Sequence, residues 1–396
     1  MDASSLMRTQ FFRHVAQTSD APPAVAFIAA SGCKLTGADG REYIDLISGI
    51  SVNNLGHHHP EVIAAIHHQV DKYLHLMVYG EFILSPQVEY ATRLASVLPT
   101  NLSSVYFTNS GSEAIEGAMK LSKRFTGRTQ IASCFNAYHG STQGALSITG
   151  DTNMQQNYRP LLPDILHLRF NSIDDLSLIT ERTASFILEP IQAEAGCKLP
   201  DEGYLQAVRE RCNTTGTLMI LDEIQTGMGR TGTRFAFETS GIVPDILVTG
   251  KAFGGGMPLG GFISSNRIMN TLTNNPVLGH ITTFGGHPVC CAAGLAAFNV
   301  IEREDLAHQT FQKEQLFRKL LQHKTIRSIH GKGLLLAVEF DSNERMQGTI
   351  ANCLKNGLVS DWFLFAPNCL RIAPPLIISE QEITEACHII LSSIPN

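Results

Sequence analysis

Short apolar runs alternate with helical patterns through the middle of the chain, and this alternation constrains the fold more than any other feature. Five runs have the length and composition of buried strands, at residues 104–107, 131–134, 184–188, 217–221 and 246–249. Residues 112–125, between the first two runs, have helical spacing. Because buried strands separated by helices are typical of a mainly parallel sheet covered on both faces, the sequence predicts an α/β fold.

The pattern changes after about residue 290. Helical patterns follow at residues 292–304 and 309–322, strand patterns at 333–340 and 369–372, and a last helix after Ser379. This α+β region is about 100 residues long, which is enough for a small second domain. We therefore expect a large domain over residues 46–290 and a smaller domain over residues 291–396, with the N-terminal segment 1–45 packing against the smaller one.

Charge and composition exclude several classes of partner. The formal net charge of −6 gives no electrostatic reason to bind nucleic acid or an anionic membrane, and no apolar run approaches the roughly 20 residues that span a bilayer. The nine cysteines are scattered without a CxxC pair. Their spacing argues against a zinc or thioredoxin-like site and favours free thiols in a reducing, cytoplasmic compartment.

Polar residues follow the predicted strands, where ligands bind in such sheets. The first segment, 108–114, reads TNSGSEA and leads from a strand through a small-residue turn into a helix. The first turn of a helix has unpaired N–H groups and a positive dipole end, so it can hold a phosphate, and Ser110 and Ser112 add hydroxyl donors. An ordinary helix cap, with Glu113 in the first turn, is the alternative interpretation.

Two further segments could meet a planar ligand. Tyr138 follows the strand at 131–134 and could stack on a flat ring, although an ordinary loop aromatic would have the same sequence. His139, taken singly, is better explained as a structural hydrogen-bonding histidine. Asp222 and Glu223 directly follow an apolar strand, where a carboxylate is costly without a partner. We expect Asp222 to be the deeper of the two, with a protonated ring nitrogen or a metal as its partner.

Metal is the weaker alternative, because no second cluster with metal-ligand spacing is evident. The run His57-His58-His59 before Pro60 is interpreted as loop and helix-start structure. We therefore predict no metal site.

Lys251 lies between a buried strand and the glycine run 254–256, where lysine is normally avoided. It makes sense as a Schiff-base lysine, whose pKa falls on desolvation so that the free amine can attack a carbonyl. The segment is not a P-loop, because Ala252 follows the lysine, and its glycines do not fit GxGxxG. A phosphate site, a stacking ring, an acid and an amine together predict pyridoxal phosphate as the cofactor.

Several stretches together resemble one family, the class III aminotransferases that include ornithine, acetylornithine and 4-aminobutyrate aminotransferases. The resemblance runs from about Gly40 to about Pro375. It is carried by DGREYIDLISGISVNNLGHHHP, FTNSGSEAIEGAMKL, AYHGST, ILEPIQAEAG, LMILDEIQTGMGRTG, VTGKAFGGGMPLGG, TTFGGHPV and LRIAPPL. It implies the fold-type I architecture, with a seven-stranded-type sheet in the large domain, and a homodimer with shared active sites. Its partners would be a small-molecule amino donor and a 2-oxo acid.

The resemblance also implies roles for single residues around the cofactor. Lys251 would bind the cofactor aldehyde and Asp222 the ring nitrogen, while Tyr138 would stack on the ring. Glu189 and Gln225 would lie near the ring hydroxyl. The remaining cofactor-binding residues implied by position are Ser110, Gly111, Ser112, Ile224 and, toward the phosphate of the neighbouring subunit, Thr283.

Substrate contacts are implied in the same way. Arg371 resembles the arginine that binds the α-carboxylate of glutamate or 2-oxoglutarate, and Glu194 the acid that pairs with it when the other substrate is bound. Many family members have arginine for a distal carboxylate where this chain has Ser141. That departure puts ornithine and 4-aminobutyrate in doubt as donors and raises amines or diamines. Tyr79 or Glu81 could contact a substrate amine, with interface packing as the alternative.

The expected function is transfer of an amino group from an ω-amino acid or amine to 2-oxoglutarate by a ping-pong mechanism. An amine or diamine aminotransferase is the alternative within the reaction class, and a mutase, epimerase or decarboxylase is possible on the same fold. A catalytically silent, cofactor-binding protein is a different class of function. A metal hydrolase built on Asp222, Glu223 and nearby histidines is more distant.

Overall fold

The structure of the protein is a computed structural model that describes residues 3–395. Its strands are β1 (Phe27–Ser31), β2 (Lys34–Gly37), β3 (Glu42–Asp45), β4 (Ser104–Thr108), β5 (Gln130–Cys134), β6 (Ile165–Leu168), β7 (Thr183–Leu188), β8 (Leu218–Asp222), β9 (Ile246–Thr249), β10 (Gly260–Ser264), β11 (Ile326–Lys332), β12 (Leu335–Phe340), β13 (Leu358–Val359), β14 (Trp362–Phe363) and β15 (Ala366–Ile372).

Its helices are α1 (Ala3–His14), α2 (Ser48–Ser51), α3 (Pro60–Lys72), α4 (Ser85–Ala95), α5 (Gly111–Thr126), α6 (Gln143–Ile148), α7 (Thr152–Gln155), α8 (Tyr204–Thr215), α9 (Asn266–Met269), α10 (Pro288–Arg303), α11 (Leu306–Leu320), α12 (Asn343–Lys355) and α13 (Glu380–Ser393). A 3-10 turn at Lys251–Gly254 follows β9. Across residues 3–395, no helix has both the length and the apolarity needed to cross a bilayer.

The central sheet has seven strands in the order β4-β10-β9-β8-β7-β5-β6. The five strands from β9 to β6 run parallel to one another, and β10 alone is antiparallel to its neighbours β4 and β9. The predicted mainly parallel α/β sheet is therefore confirmed, with each of the five predicted strands within a residue or two of its predicted ends.

Alternating side chains of the central strands fill two separate cores, which is why these strands have no polar face. On β8, Ile220 packs in a core with Ile115 and Ala118 of α5, whereas Met219 and Leu221 pack in the larger core on the other face. Successive residues of a strand point to opposite faces, so a strand covered on both sides must be apolar throughout.

Strand β10 was not predicted, and its sequence explains why. It begins with Gly260 and Gly261, which weaken a strand signal. Glycine is needed there, because a Cβ on Gly260 would lie 2.2 Å from the carbonyl oxygen of Ser110. The strand therefore brings the turn before α5 close to the sheet.

Two smaller sheets flank the central one. The antiparallel sheet β11-β12-β15-β14 contains the predicted strands at 333–340 and 369–372. The other sheet, β1-β2-β3-β13, pairs the N-terminal strand β3 in parallel with β13 from the C-terminal region. N-terminal and C-terminal segments thus share one sheet, while domain boundaries at residues 45 and 290 remain a prediction.

All nine cysteines are buried and free. Burial raises the pKa of every one of these thiols, to about 11 for Cys290 and Cys353. They act as small apolar side chains.

The short element α2 is a strained left-handed turn. Its residues Ser48, Gly49, Ile50 and Ser51 have φ angles of 45°, 65°, 62° and 60°. Left-handed backbone costs roughly 1–2 kcal/mol for each non-glycine residue, and a β-branched residue such as Ile50 is a genuine outlier there. Neighbouring groups must therefore hold the turn in place.

Candidate active site

The predicted site residues follow strands that end at one edge of the central sheet. Lys251 lies after β9, Asp222 ends β8, Glu189 follows β7 and Tyr138 lies after β5. Strand β4, which leads into the turn at Ser110, runs in the same direction because both β4 and β9 are antiparallel to β10. The fold therefore brings these residues together at the carboxyl edge.

Lys251 begins the 3-10 turn with a φ of 49°, in the left-handed region. Non-glycine residues with such a φ are uncommon and often occur at functional sites. Burial lowers the pKa of Lys251, and the charge of Arg371 lowers it further, against the opposing charges of Glu194 and Asp222. A lowered pKa favours the neutral amine, which is the nucleophilic form.

Asp222 has a protein partner that the sequence did not reveal. Its Oδ2 lies 2.7 Å from Nδ1 of His139, and its Oδ1 accepts the backbone N–H of Ile224 at 3.0 Å. Burial lowers the pKa of His139, but the hydrogen bond and charge of Asp222 outweigh burial and hold it above its usual value. The contact with His139 therefore holds the Asp222 carboxylate in a fixed orientation.

The expectation that Asp222 is deeper than Glu223 is wrong. Glu223 is completely buried, whereas Asp222 is 4% exposed. Glu223 accepts the hydroxyl of Thr226 and the backbone N–H groups of Ala236 and Phe237, at 2.5, 2.9 and 2.8 Å. Burial raises its pKa to about 7. Glu223 therefore fastens the loop after β8 to residues 236–237.

The start of α5 has the geometry of a phosphate cradle. The first-turn N–H groups of Gly111 and Ser112 have no acceptor within their helix. A Cβ on Gly111 would lie 2.6 Å from Cδ1 of Ile224, and one on Gly250 would lie 3.2 Å from Cα of Gly111. Ser110 caps the helix, since its Oγ accepts the N–H of Glu113 at 3.2 Å. The cap interpretation of this segment is therefore seen in the structure, and the phosphate interpretation stays a prediction.

The loop after β5 folds against this cradle. The backbone N–H of Ser141 donates to Ser112 Oγ at 3.2 Å, and the hydroxyls of Tyr138 and Ser141 lie 3.0 Å apart. Gly140 has a φ of 129°, and a Cβ there would meet Ser112 Oγ at 1.9 Å. Ser141 itself is exposed. The loop therefore places the Tyr138 ring and the Ser141 hydroxyl beside the helix start.

Glu189 supports the same loop from the neighbouring strand. It is 5% exposed and accepts the N–H of Tyr138 at 3.2 Å and the N–H of Ala193 at 3.0 Å. Burial raises its pKa to about 7. Its charge therefore changes near neutral pH, close to Asp222 and His139.

Glu194 and Arg371 form a buried ion pair across 177 positions of sequence. Nη2 of Arg371 donates to both carboxylate oxygens of Glu194, at 3.0 and 2.9 Å, and Nη1 donates to Oε1 of Gln225 at 2.9 Å. Burial raises the pKa of Glu194, but the Arg371 charge outweighs burial and holds it below its usual value. Gln225 thus contacts both members of the pair, because its own side-chain N–H lies 3.3 Å from Glu194 Oε1.

Two further contacts of Arg371 were not predicted. Nε of Arg371 donates to Asp361 Oδ1 at 2.8 Å, and the guanidinium lies 4.2 Å from the centre of the Phe363 ring. Asp361 and Phe363 precede Arg371 by ten and eight positions, respectively. Nothing in their local sequence distinguishes them from ordinary sheet residues, so no sequence signal was available.

Tyr79 and Thr283 lie in two segments that pack together beside β4. The side chain of Gln87 donates to the carbonyls of Val78 and Gly286, both at 2.9 Å. Thr282 accepts from Asn109 at 2.9 Å, whereas Thr283 is exposed and Tyr79 is half-buried. The single chain leaves Thr283 on the surface.

The histidine run before α3 has its own partners. Nε2 of His57 lies 2.8 Å from Asp45 Oδ2. His59 lies near the exposed carboxylates of Glu61 and Glu304, but both oxygens of Glu61 are already bound by Arg303. The absence of a metal stays a prediction.

The residues present fit pyridoxal phosphate. The cradle at Gly111 offers N–H groups and a close backbone approach, which a phosphate requires. Asp222 offers a carboxylate at the bottom of the site, and Lys251 an amine of lowered pKa. These three groups match the phosphate, the ring nitrogen and the aldehyde of that cofactor.

Comparison with known proteins gives a consistent result. The family described as Aminotransferase class-III matches residues 15–394. Acetylornithine aminotransferase from Methanopyrus kandleri is 36% identical over 367 residues, which cover 91% of this chain and 92% of that protein.

Solved structures with a similar fold include ornithine aminotransferase from Toxoplasma gondii, described with partial occupancy of PLP at its active site. It is 29% identical, with a TM-score of 0.91, and the match covers 99% of this chain and 94% of that one. An (S)-enantioselective omega-transaminase from Thermomicrobium roseum is 27% identical, with a TM-score of 0.92 and full coverage of both chains.

The agreement extends over nearly the whole chain in both sequence and structure. It confirms the fold-type I architecture expected from the sequence. The chain therefore belongs to the class III aminotransferases, which are pyridoxal-phosphate-dependent enzymes.

Proposed function

We propose that the protein transfers an amino group from an ω-amino acid or amine to 2-oxoglutarate by a ping-pong mechanism. The observation that carries this proposal is the buried pair of Glu194 and Arg371, with two Nη2 contacts of 3.0 and 2.9 Å. Both residues are charged neighbours of Lys251. An arginine at that place can bind the α-carboxylate of one substrate, with its reacting carbon directed toward the lysine.

Lys251 has two roles in this proposal. It would bind the cofactor aldehyde at rest, and its amine, once free, would move a proton at the reacting carbon of the substrate. The bound cofactor supplies an electron sink for that step. Burial lowers the pKa of Lys251, which favours the neutral amine that can accept a proton.

Asp222 and His139 hold the opposite end of the cofactor in this proposal. The Asp222 carboxylate would hold the ring nitrogen and favour its protonated form, and His139, 2.7 Å from Asp222, fixes the orientation of that carboxylate. Tyr138 would lie against the ring, and the N–H groups at Gly111 and Ser112 would bind the phosphate. Glu189, Ile224, Gln225 and the cap residue Ser110 line the rest of the site.

The Glu194–Arg371 pair gives one site two substrate modes. When the substrate has no α-carboxylate at the reacting carbon, Glu194 neutralises Arg371, and the pair stays closed. When glutamate or 2-oxoglutarate enters, its carboxylate replaces Glu194 on the guanidinium. Gln225 can then keep its contact with Arg371 Nη1, which steadies the arginine in both modes.

The identity of the donor depends on Ser141. A serine hydroxyl does not replace a guanidinium as the partner of a distal carboxylate. The named relatives include an acetylornithine aminotransferase and an omega-transaminase. An amine or diamine donor is therefore the second candidate, and Ser141, exposed and 3.0 Å from the Tyr138 hydroxyl, is the observation in its favour.

We also propose a homodimer with shared sites. The segments around Tyr79 and Thr283 expose several large apolar side chains, among them Phe82 (62%), Ile83 (91%) and Phe284 (54%). Apolar side chains exposed together mark contact surfaces. In the dimer, Thr283 would reach the phosphate site of the neighbouring subunit. The nine free cysteines favour a reducing, cytoplasmic location.

A single-turnover absorbance experiment tests the function. The cofactor-loaded protein is mixed separately with glutamate, ornithine, acetylornithine, 4-aminobutyrate and putrescine, and the absorbance of the Lys251-bound cofactor is followed. We expect loss of that absorbance with glutamate and with one further donor. A response to putrescine but not to the ω-amino acids would select the amine candidate.

Product analysis completes the test. A mutase, epimerase or decarboxylase would give no net amino transfer to 2-oxoglutarate, and that result would refute the proposal. Absence of any response to glutamate would refute the assigned role of Arg371.

A further inference from the structure

Arg230 is a fully buried arginine that forms no ion pair with a carboxylate of residues 3–395, although the charge of Asp45 is close enough to act on it. It is 0% exposed, and burial lowers its pKa to about 9. Its acceptors are neutral: Nη1 donates to the carbonyls of Leu334 and Pro374 at 2.9 and 2.5 Å, and Nη2 donates to Ser48 Oγ and Asn54 Oδ1 at 3.2 and 2.5 Å. Burying a charge on neutral acceptors is unfavourable, so a specific gain should accompany it.

The acceptors belong to three distant parts of the chain. Ser48 begins the strained left-handed turn and Asn54 lies three positions after its end, whereas Leu334 precedes β12 and Pro374 follows Arg371 by three positions. The carbonyl of Arg230 also accepts the N–H of Leu334 at 2.9 Å. One guanidinium therefore ties the strained turn to the strand end that carries Arg371.

Other bonds run along the same path. Ser48 Oγ donates to the carbonyl of Ala373 at 2.7 Å, and the N–H of Ala373 donates to the carbonyl of Leu46 at 2.7 Å. Oδ1 of Asp45 accepts the N–H groups of Ile47 and Ser48, at 2.9 and 2.8 Å. These bonds hold the start of the turn, and the bonds from Ser48 Oγ and from Arg230 connect it to residues 373–374.

The same turn lies against the Lys251–Gly254 turn. It therefore stands between the lysine that reacts and the strand end beyond Arg371. A substrate that binds both residues needs a fixed separation between them, because a small misplacement of the reacting carbon lowers the rate strongly.

We infer that Arg230 is a positioning residue, which fixes the strained turn Ser48–Ser51 and thereby sets the separation between Arg371 and Lys251. This inference rests on the proposed carboxylate-binding role of Arg371. Its consequence is an asymmetry: loss of Arg230 slows the half-reaction with glutamate, which uses both residues, more than the half-reaction with a donor that does not bind Arg371.

The test compares Arg230→Lys with wild type in the single-turnover absorbance experiment. Lysine keeps the positive charge but cannot reach the acceptors on both sides. We expect the glutamate rate to fall at least about tenfold more than the rate with putrescine, or with whichever panel donor responds most. With cofactor bound to both proteins, hydrogen exchange of the amides at residues 46–54 should be faster in Arg230→Lys than in wild type.

Arg128→Lys is the matched control. Nη1 of Arg128 binds the carbonyls of Thr183, Thr215 and Gly216 at 3.0, 3.0 and 3.1 Å, so this arginine also joins backbone segments. In Arg128→Lys we expect only a loss of stability: the Tm falls, and the ratio of the glutamate rate to the donor rate stays unchanged. If Arg230→Lys does not fold, Ser48→Ala removes one link to the turn, and we expect about a threefold asymmetry.

The outcomes separate this inference from the proposed function. If Arg371→Gln leaves the glutamate rate unchanged, the proposed function fails. Amide exchange at residues 46–54 in Arg230→Lys still tests whether Arg230 fixes the turn. If Arg371→Gln slows glutamate but Arg230→Lys slows both half-reactions equally, only the inference about Arg230 fails. Unchanged amide exchange in Arg230→Lys overturns it as well.

Discussion

The cofactor side and the substrate side of the site are built in different ways. On the cofactor side, Lys251, Asp222 and Gly111 each follow a strand of one sheet, and their positions follow from that sheet. On the substrate side, Glu194 lies in the loop after β7 of the central sheet and Arg371 lies on β15 of another sheet, and the two meet across 177 positions. The first arrangement is local and repeated at each strand end, whereas the second depends on how two parts of the chain pack.

This difference suggests how the two sides can vary. A change of donor requires new side chains at exposed loop positions such as Ser141, while the strand ends below stay the same. A change at Lys251 or Asp222 would instead remove the shared chemistry. Variants on the two sides should therefore have different kinetic signatures, and four experiments can break or sharpen the comparison.

The largest effect is expected for Lys251→Ala. The variant loses both the amine that binds the cofactor aldehyde and the group that moves the proton, so turnover with every donor should fall by at least about 10⁴-fold. Steady-state transfer to 2-oxoglutarate measures it. Activity near the wild-type level would show that Lys251 does not bind the cofactor, and the comparison of the two sides would lose its basis.

Arg371→Gln should have the next largest effect, and a selective one. We expect kcat/KM for glutamate to fall on the order of 10²–10³-fold, with a much smaller loss for a donor lacking an α-carboxylate. The variant also leaves Glu194 buried without its partner, which costs about 3–5 kcal/mol of stability.

The double variant Glu194→Gln/Arg371→Gln controls for that stability cost. It should recover much of the lost Tm without recovering the glutamate rate. Equal losses for both substrate types in Arg371→Gln would contradict the two-mode role of the pair.

Ser141→Arg should have a smaller effect in the opposite direction. A guanidinium beside Tyr138 could bind a distal carboxylate, so we expect about a tenfold gain with 4-aminobutyrate and no gain with putrescine. Ser141→Ala is the matched control and should change neither rate. A gain with both donors would mean that position 141 acts on the cofactor side.

The smallest effect is on the pH dependence of stability. Burial raises the pKa of Glu223 from its ordinary 4.5 to about 7 in the folded protein. The folded state then holds a proton that the unfolded chain has lost, so this contribution is complete below about pH 4.5 and is lost as the pH rises through about 7.

Glu223→Gln removes this titration. Between pH 5 and pH 8 the Tm of the variant should fall by about 2–4 °C less than that of wild type. Exposed Glu181→Gln is the control and should follow wild type. Identical pH profiles for the variant and wild type would show that Glu223, the neighbour of Asp222 in sequence, does not hold this proton.

The same comparison explains how much the sequence could predict. Lys251 and Asp222 stand out because a charged residue directly after a buried strand needs an explanation, and that pattern is contained in a few residues. The five strands around them were also predicted from local sequence, because each is a short apolar run. Glu223 was misjudged, because its buried partners Ala236 and Phe237 are backbone groups that no side-chain pattern marks.

Long-range contacts were beyond local patterns. The pairing of Glu194 with Arg371 came only from the family resemblance, and Asp361 beside Arg371 was missed altogether. Arg230 was missed because its acceptors are mostly carbonyls and amides from distant segments. Strand β10 was missed because the close approach of Ser110 demands glycine where a strand signal needs larger residues.

The burial of all nine cysteines has a practical consequence. A thiolate is the reactive form, and a buried thiol of raised pKa supplies almost none of it to a reagent in water. Alkylation of the native protein should therefore wait for local or global opening, so its rate reports that opening. One cysteine introduced on the surface would be the single fast-reacting position, and a probe could be attached there without removing any native cysteine.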